Sequence, residues 1–253
     1  MNRLSEFKNL NGKRAMTDHT VKSFGEQLEA LSALVAQMGG LAEAQFAAAI
    51  EAIARRDSVA AERAVGGDAR IDAIQQEIEE RALRLLALRQ PMAVDLRETL
   101  AAIKTAAELE RIGDLAKNIA KRALVLNREP PIRLTQSLAR MGKAAQNQLK
   151  QVLDAFTSRN AEEAESVWSR DGEIDEIYNS LFRELLTYMM EDPRTIGLCT
   201  HLLFVAKNIE RCGDHCTNIA EVVYHMVRAG HLAANRPKAD TTSETSVPYE
   251  THA

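Results

Sequence analysis

Apolar residues return every three or four positions between residues 18 and 57: Val21, Phe24, Leu28, Leu31, Leu34, Val35, Met38, Leu41, Phe46, Ile50 and Ile53. This is the spacing of one face of an α-helix, and at about 1.5 Å per residue such a helix is roughly 60 Å long. Gly39-Gly40 falls inside it. Each glycine costs about 1 kcal/mol against alanine in a helix interior, so the pair predicts a kink or the close approach of another helix. A second helix is expected over 59–89, with Gly66-Gly67 as an irregularity. A third is expected over 91–127, because Pro91 ends one element and suits the first turn of the next. Glu129-Pro130-Pro131 then breaks the pattern.

The plan is repeated in the second half. Helical spacing predicts elements over 132–158, 161–191 and 193–229, with Pro193 in the place of Pro91. The expected fold class is all-α: two tandem three-helix bundles of long antiparallel helices, related by an internal repeat, over 17–128 and 129–231. Residues 1–16 are polar and mixed and read as a flexible N-terminal tail. Residues 232–253, rich in Thr, Ser and Pro without an apolar period, read as a disordered C-terminal tail.

Two stretches carry the candidate chemistry. LERIGDLAKNIA at 109–120 and IERCGDHCTNIA at 209–220 agree at seven of twelve positions, among them Glu110/Glu210, Gly113/Gly213, Asp114/Asp214 and Asn118/Asn218. On a helical wheel with Glu110 at zero, Asp114 falls near about 40°, whereas Ile112, Leu115, Ala116 and Ile119 fall between about 140° and 240°. Glu110 and Asp114 therefore share a face opposite the core, and Glu210 and Asp214 repeat it. Asp68/Asp72 and Asp171/Asp175 place further acids four apart on the preceding helix of each half.

A single such pair is ordinarily a solvated face, balanced here by Arg111, Lys117 and Lys121. Four pairs in equivalent places point elsewhere. Like charges at i,i+4 oppose helix formation, and carboxylates brought together from antiparallel neighbours repel unless a cation lies between them. Asp68, Asp72, Glu110, Asp114, Asp171, Asp175, Glu210 and Asp214 are therefore candidate metal ligands. Oxygen donors suit hard cations such as Mg²⁺, Mn²⁺ or iron. Asn118 and Asn218 are candidates for orienting a carboxylate from behind. Gly113 and Gly213 lie beside the acidic face, where a missing side chain admits a metal-bound ligand or a close-packed helix equally well.

The run Cys212-Gly-Asp-His215-Cys216 suggests a soft-metal site. Yet Cys212 stands where the first half has Ile112, and Cys216 where it has Ala116. Both therefore face the core, where a free cysteine behaves as a small hydrophobe. His215 takes the place of Leu115 and reads as a packing or hydrogen-bonding residue. Cys199 has no partner pattern, and three cysteines argue against a disulfide framework.

Composition narrows the function classes. A net charge of -4 leaves no basic excess for nucleic acid. Aromatics at 4% leave Ala, Leu, Ile and Val to fill the core, which favours closely packed helices. No apolar run of 18 or more residues predicts a membrane span, and the first residues lack a signal-peptide pattern, so a cytoplasmic protein is expected. No Walker-type phosphate loop, Glu-x-x-His motif or nucleophile–base arrangement is legible, so no catalytic residue is assigned.

HTVKSFGEQL, MGGLAEAQ, DARID, QPMAVDLRETLAAIKTAAELERIGDLAKNIAKR and NIERCGDHCTNIAEVVYH together resemble the PhoU family of phosphate-transport accessory proteins, over roughly residues 17–230. The resemblance implies two similar three-helix bundles in a cytoplasmic, often dimeric protein that is not an enzyme. It implies a negative regulator of the phosphate-starvation response and of phosphate uptake. Its partners would be the ATPase subunit of a phosphate ABC transporter and a sensor histidine kinase, with membrane association only through them. Some members bind multinuclear metal clusters through Glu/Asp-x-x-x-Asp pairs, which match the eight carboxylates above; the ion could be iron, Mn, Mg or Zn. QPMAVDLR has only DPRTIG as its second-half counterpart, so Asp95 and Arg97 are unmatched and the halves need not bind partners equivalently. Two alternatives stay open: a carboxylate-bridged metalloenzyme, and a metal-free helical adaptor.

Overall fold

The computed structural model of the chain describes residues 4–89, 93–130, 135–233, 236 and 238–244, and among them are eight α-helices where apolar spacing predicts six. They are α1 (Leu4–Ala54), α2 (Ser58–Gly66), α3 (Asp68–Arg89), α4 (Val94–Leu126), α5 (Thr135–Ser158), α6 (Ala161–Ser169), α7 (Gly172–Glu191) and α8 (Ile196–Arg228). Short 3-10 turns cover Pro193–Thr195 and Thr242–Glu244, and the described residues contain no strand. The extra helices arise because the second and fifth expected elements each divide. Gly67 separates α2 from α3, as the low helix propensity of glycine allows. Arg170-Asp171 separates α6 from α7 at the equivalent place. Pro91 and residues 131–134 lie outside the described residues.

The turns repeat as faithfully as the helices. Asp57 caps α2 by accepting the Val59 and Ala60 N–H groups at 2.9 and 3.0 Å, and its counterpart Asn160 caps α6 by accepting the Glu163 N–H at 3.1 Å. The residues just before these caps, Arg56 and Arg159, are both left-handed, with φ of 57° and 53°.

Both expected tails need correction. Residues 4–16 are helical and continuous with α1, which runs 51 residues. Apart from Gly12 they contain no strong helix breaker, and a long helix downstream removes the cost of nucleation. At the other end, Arg236 and residues 238–244 are held against α7 and α8 by ion pairs and backbone hydrogen bonds. Residues 245–253 lie outside the described residues.

Each half is a bundle, with α1, α2–α3 and α4 in one and α5, α6–α7 and α8 in the other. The halves meet through α1 on α5 and α4 on α8. Arg97 donates to the Met226 carbonyl, Glu108 accepts from Asn218, and Arg122 lies over the Phe204 ring, so α4 and α8 run antiparallel. The α1–α5 crossing is reciprocal. A Cβ on Gly39 would come 2.5 Å from Leu153, and one on the equivalent Gly142 would come 2.7 Å from Ile50, the equivalent of Leu153. The glycines thus mark close helix contacts, and α1 continues through Gly39-Gly40. The segment Phe24–Ala54 is long and apolar enough to cross a bilayer. Its buried face, from Leu31 through Met38 and Phe46 to Ile53, belongs to the protein core. Ile112, Ala116, Ile119, Cys212, Cys216 and Ile219 are buried on the core faces of α4 and α8, as the helical wheel requires.

Candidate functional site

The four acids of the first half come from two helices. Lys117 pairs with Asp68, and Gly113 faces Ile71, so α3 and α4 run antiparallel and set their acidic pairs side by side. Asp68 occupies the first turn of α3, where the helix dipole favours negative charge. Lys117 also lies 3.9 Å from Asp114, and Arg111 lies 3.5 Å from Glu110. Burial raises the pKa of Asp72; the charges of Asp68 and Asp114 raise it further, and Lys117 opposes them. Burial likewise raises Glu110; Arg111 opposes, while Asp114, Asp72 and Asp68 add to the rise. The patch therefore behaves electrostatically as one unit, with more negative charge than its cations balance.

The equivalent acids of the second half have a different environment. Thr217 donates to Asp171 at 2.7 Å. Arg236 reaches in from beyond α8 and grips Asp171 with two hydrogen bonds of 2.6 Å, while its Nη2 also lies 2.7 Å from Asp214. Lys238 stands 3.4 Å from Asp214, and the Ala239 N–H donates to Asp175 at 2.8 Å. Lys207 bridges Glu210 and Asp240, at 2.9 Å each. Burial raises Glu210 against the pull of Lys207, and raises Asp175 against its bond from Ala239. For Lys207, burial lowers the pKa, but its bonds to Asp240 and Glu210 prevail and push it up.

The expectation that all eight acids face solvent therefore needs correction for Asp68 in the first half and for Asp171, Asp175 and Glu210 in the second, all of which are buried. The Asp171 and Glu210 side chains are 4% and 5% exposed, against 10% and 21% for Asp68 and Glu110. The physical reason in the second half is the C-terminal segment lying over its acids. Gly113 and Gly213 are close-packed. A Cβ would come 3.1 Å from Ile71 in the first case and 2.8 Å from Ile174 in the second, which leaves no room for a metal-bound ligand.

Asn118 is exposed. Asn218 donates to Glu108 at 3.0 Å and accepts from Arg236 at 3.2 Å, so it orients the counter-ion of the cluster. His215 pairs with Glu108 across the junction of the halves at 2.6 Å. Burial pushes Glu108 up, but the bonds from His215 and Asn218 prevail and hold it below its ordinary value. All three cysteines are free and buried, and burial pushes the Cys212 and Cys216 thiols up, which suits packing rather than metal ligation.

Sequence reasoning missed Arg236, Lys207 and Asn179. A signal for the first was present. Lys117 and Thr217 share one place in the repeat, and a cluster that loses its ammonium there must find a cation elsewhere. Among the described residues no three His, Cys, Asp or Glu side chains stand close enough to hold a metal ion. In the second cluster the donors are occupied by Arg236, Lys238, Lys207 and the Ala239 N–H, and this set does not fit a metal while the segment is in place. In the first, four carboxylates face Lys117 and Arg111, and Asp72 and Glu110 are held above their ordinary values. That oxygen-rich set has the donor chemistry of a hard-cation site, but its side chains do not stand together as ligands.

A family model described as the PhoU domain matches residues 35–123 and again residues 138–223. A Caulobacter vibrioides protein named phosphate-specific transport system accessory protein PhoU homolog is 59% identical over 230 residues, 90% of this chain and 100% of that protein. A Rhizobium meliloti protein of the same name is 49% identical over 89% of this chain and 95% of its own. The crystal structure of PhoU from Pseudomonas aeruginosa superposes with a TM-score of 0.80 at 38% identity, covering 82% of this chain and 100% of that one. The phosphate transport system regulatory protein PhoU from Streptococcus pneumoniae gives 0.76 at 30% identity, covering 83% of this chain and 99% of that one.

Proposed function

The chain belongs to the PhoU family, and from that premise we propose that it is a cytoplasmic accessory regulator that restrains phosphate uptake and keeps the phosphate-starvation response off. It does so as a dimeric adaptor between the ATPase subunit of a phosphate ABC transporter and a sensor histidine kinase. The observation that carries this reading is the match, over about nine-tenths of the chain, to relatives named as accessory proteins of phosphate-specific transport. The acidic patch of α3 and α4 supports an adaptor. It is a cluster of charge on rigid helices, of the kind that selects complementary partners.

We assign a divalent or trivalent cation, one of iron, Mn, Mg or Zn, to Asp68, Asp72, Glu110 and Asp114. Such a cation would present open coordination positions to carboxylate or phosphate groups of a partner. In a strain lacking the gene, starvation genes should be expressed under phosphate excess, and the intact gene should restore repression. A deletion strain that still represses normally would overturn the regulatory reading. Elemental analysis of untagged protein tests the cation separately. Metal present in the wild type and lost in Asp72→Asn/Glu110→Gln is the expected result; metal in neither protein would leave a metal-free adaptor.

A further inference from the structure

The second carboxylate cluster is the site of a peptide-like contact made by the chain with itself. The Asn179 side chain reads the backbone of the segment: its Nδ2 donates to the Ala239 carbonyl at 2.6 Å, and its Oδ1 accepts from the Thr241 N–H at 3.2 Å. Around that clamp, Arg236 takes Asp171 and Asp214, the Ala239 N–H takes Asp175, and Asp240 meets Lys207. Charge-assisted and bidentate bonds of this kind are the stronger and more selective ones. The first half carries Gln76 in the place of Asn179, Ala107 in that of Lys207 and Lys117 in that of Thr217. It therefore lacks the clamp and carries its own cation.

We propose that Arg236 and residues 238–241 form a tethered cationic ligand of the second carboxylate cluster, a strap that shuts this cluster to external cations and leaves the first as the open one. The strap is a property of the second half alone and stands whether or not the first cluster takes a metal. Its contacts are made mainly to side chains of α7, of α8 and of Asp171, and their loss leaves the backbone ladders of both helices intact, so it can be displaced without unfolding α7 or α8. Charge reversal at Arg236 and Lys238 should do so.

Hydrogen exchange on the full chain and Mn²⁺ titration followed by the EPR of the free ion test the proposal together. In Arg236→Glu/Lys238→Glu the Ala239 and Thr241 amides should exchange at least about tenfold faster than in the wild type. The same variant should bind additional Mn²⁺, lost again on adding Asp175→Asn/Glu210→Gln. Asn179→Ala, which alters no carboxylate, should open the same amides and provides a second route. Amides that exchange equally fast in the wild type would overturn the strap. So would a wild type that already fills the second cluster, or variants that open yet bind no more Mn²⁺. A wild type that binds none while the open variant does would support the strap and remove the cation from the first cluster.

Discussion

Lys117 and Thr217 occupy the same place in the two halves, and this exchange accounts for most of the difference between the two carboxylate clusters. Lys117 lies among the acids of α3 and α4 and partly neutralises them from within its own helix. Thr217 can donate one hydrogen bond to Asp171 but brings no charge. The second cluster is nevertheless the more buried, and burying carboxylates without a counter-ion is costly. Arg236 supplies that charge from outside the repeat. Two sites with matching acids can therefore differ in accessibility because one cation moved from a helix to a terminal segment.

The contrast can be broken most forcefully at its anchor. Asp171→Ala removes three hydrogen bonds from Arg236 and Thr217 at a buried position, leaving Arg236 with Asp214, and should cost about 2 kcal/mol. Asp68 is also buried, but Asp68→Ala leaves a part-exposed Lys117 beside Asp114 and removes a single ion pair, so it should cost less, about 1 kcal/mol. Urea unfolding of the two variants compares them directly, and equal losses would dissolve the distinction between an internal and an imported counter-ion.

The reciprocal α1–α5 crossing gives an intermediate effect. A Cβ on Gly142 meets three atoms of Ile50 at 2.7 to 2.9 Å, whereas on Gly39 only one methyl of Leu153 lies closer than 3 Å. Ile is stiff at χ1 and Leu can turn its methyl away. Gly142→Ala should therefore destabilise by about 1–2 kcal/mol even after the gain in helix propensity, and Gly39→Ala by less than about 1 kcal/mol. Thermal unfolding should rank them so; the reverse order would mean that the two crossings are not packed as a matched pair.

The smallest effect concerns pH. Asp72 and Glu110 have folded pKa values above their ordinary 3.8 and 4.5, so the folded state holds more protons than the unfolded one in between. Their contribution to stability is full below the ordinary values and is lost as pH rises through the folded ones. Glu108 acts in the opposite sense: its contribution is present above its ordinary 4.5 and is lost as pH falls through its lowered value. In the presence of a chelator, Asp72→Asn/Glu110→Gln should raise Tm at neutral pH by about 1–2 °C, since both groups are only partly buried. The increment should shrink as pH approaches 4.5, and one that grows on acidification would reverse the assignment.

Much of the fold was legible in the chain. Apolar spacing placed the helices, and the Ile112/Cys212 and Ala116/Cys216 equivalences put the cysteines in the core, because a helix has only one face to bury. The irregularity at Gly66-Gly67 was legible from its glycines, whereas the break at Arg170-Asp171 was not read from the sequence. The helical extent of residues 4–16 was missed because polar sequence without an apolar stripe says little about a segment that extends an existing helix. Gly113 and Gly213 were equally suited to packing and to ligand approach on the wheel. Only the positions of Ile71 and Ile174 chose between them.

The repeat, the helical period and the eight carboxylates were thus determined by sequence alone, because they depend on residues three, four or about one hundred apart along a regular chain. Which cluster would be covered was decided by tertiary structure. Arg236 has no periodic neighbours to betray its place, and its partners Asp171 and Asp214 lie 65 and 22 residues away. A charge on an irregular segment finds its counter-ion through space, and a one-dimensional pattern holds no measure of that distance.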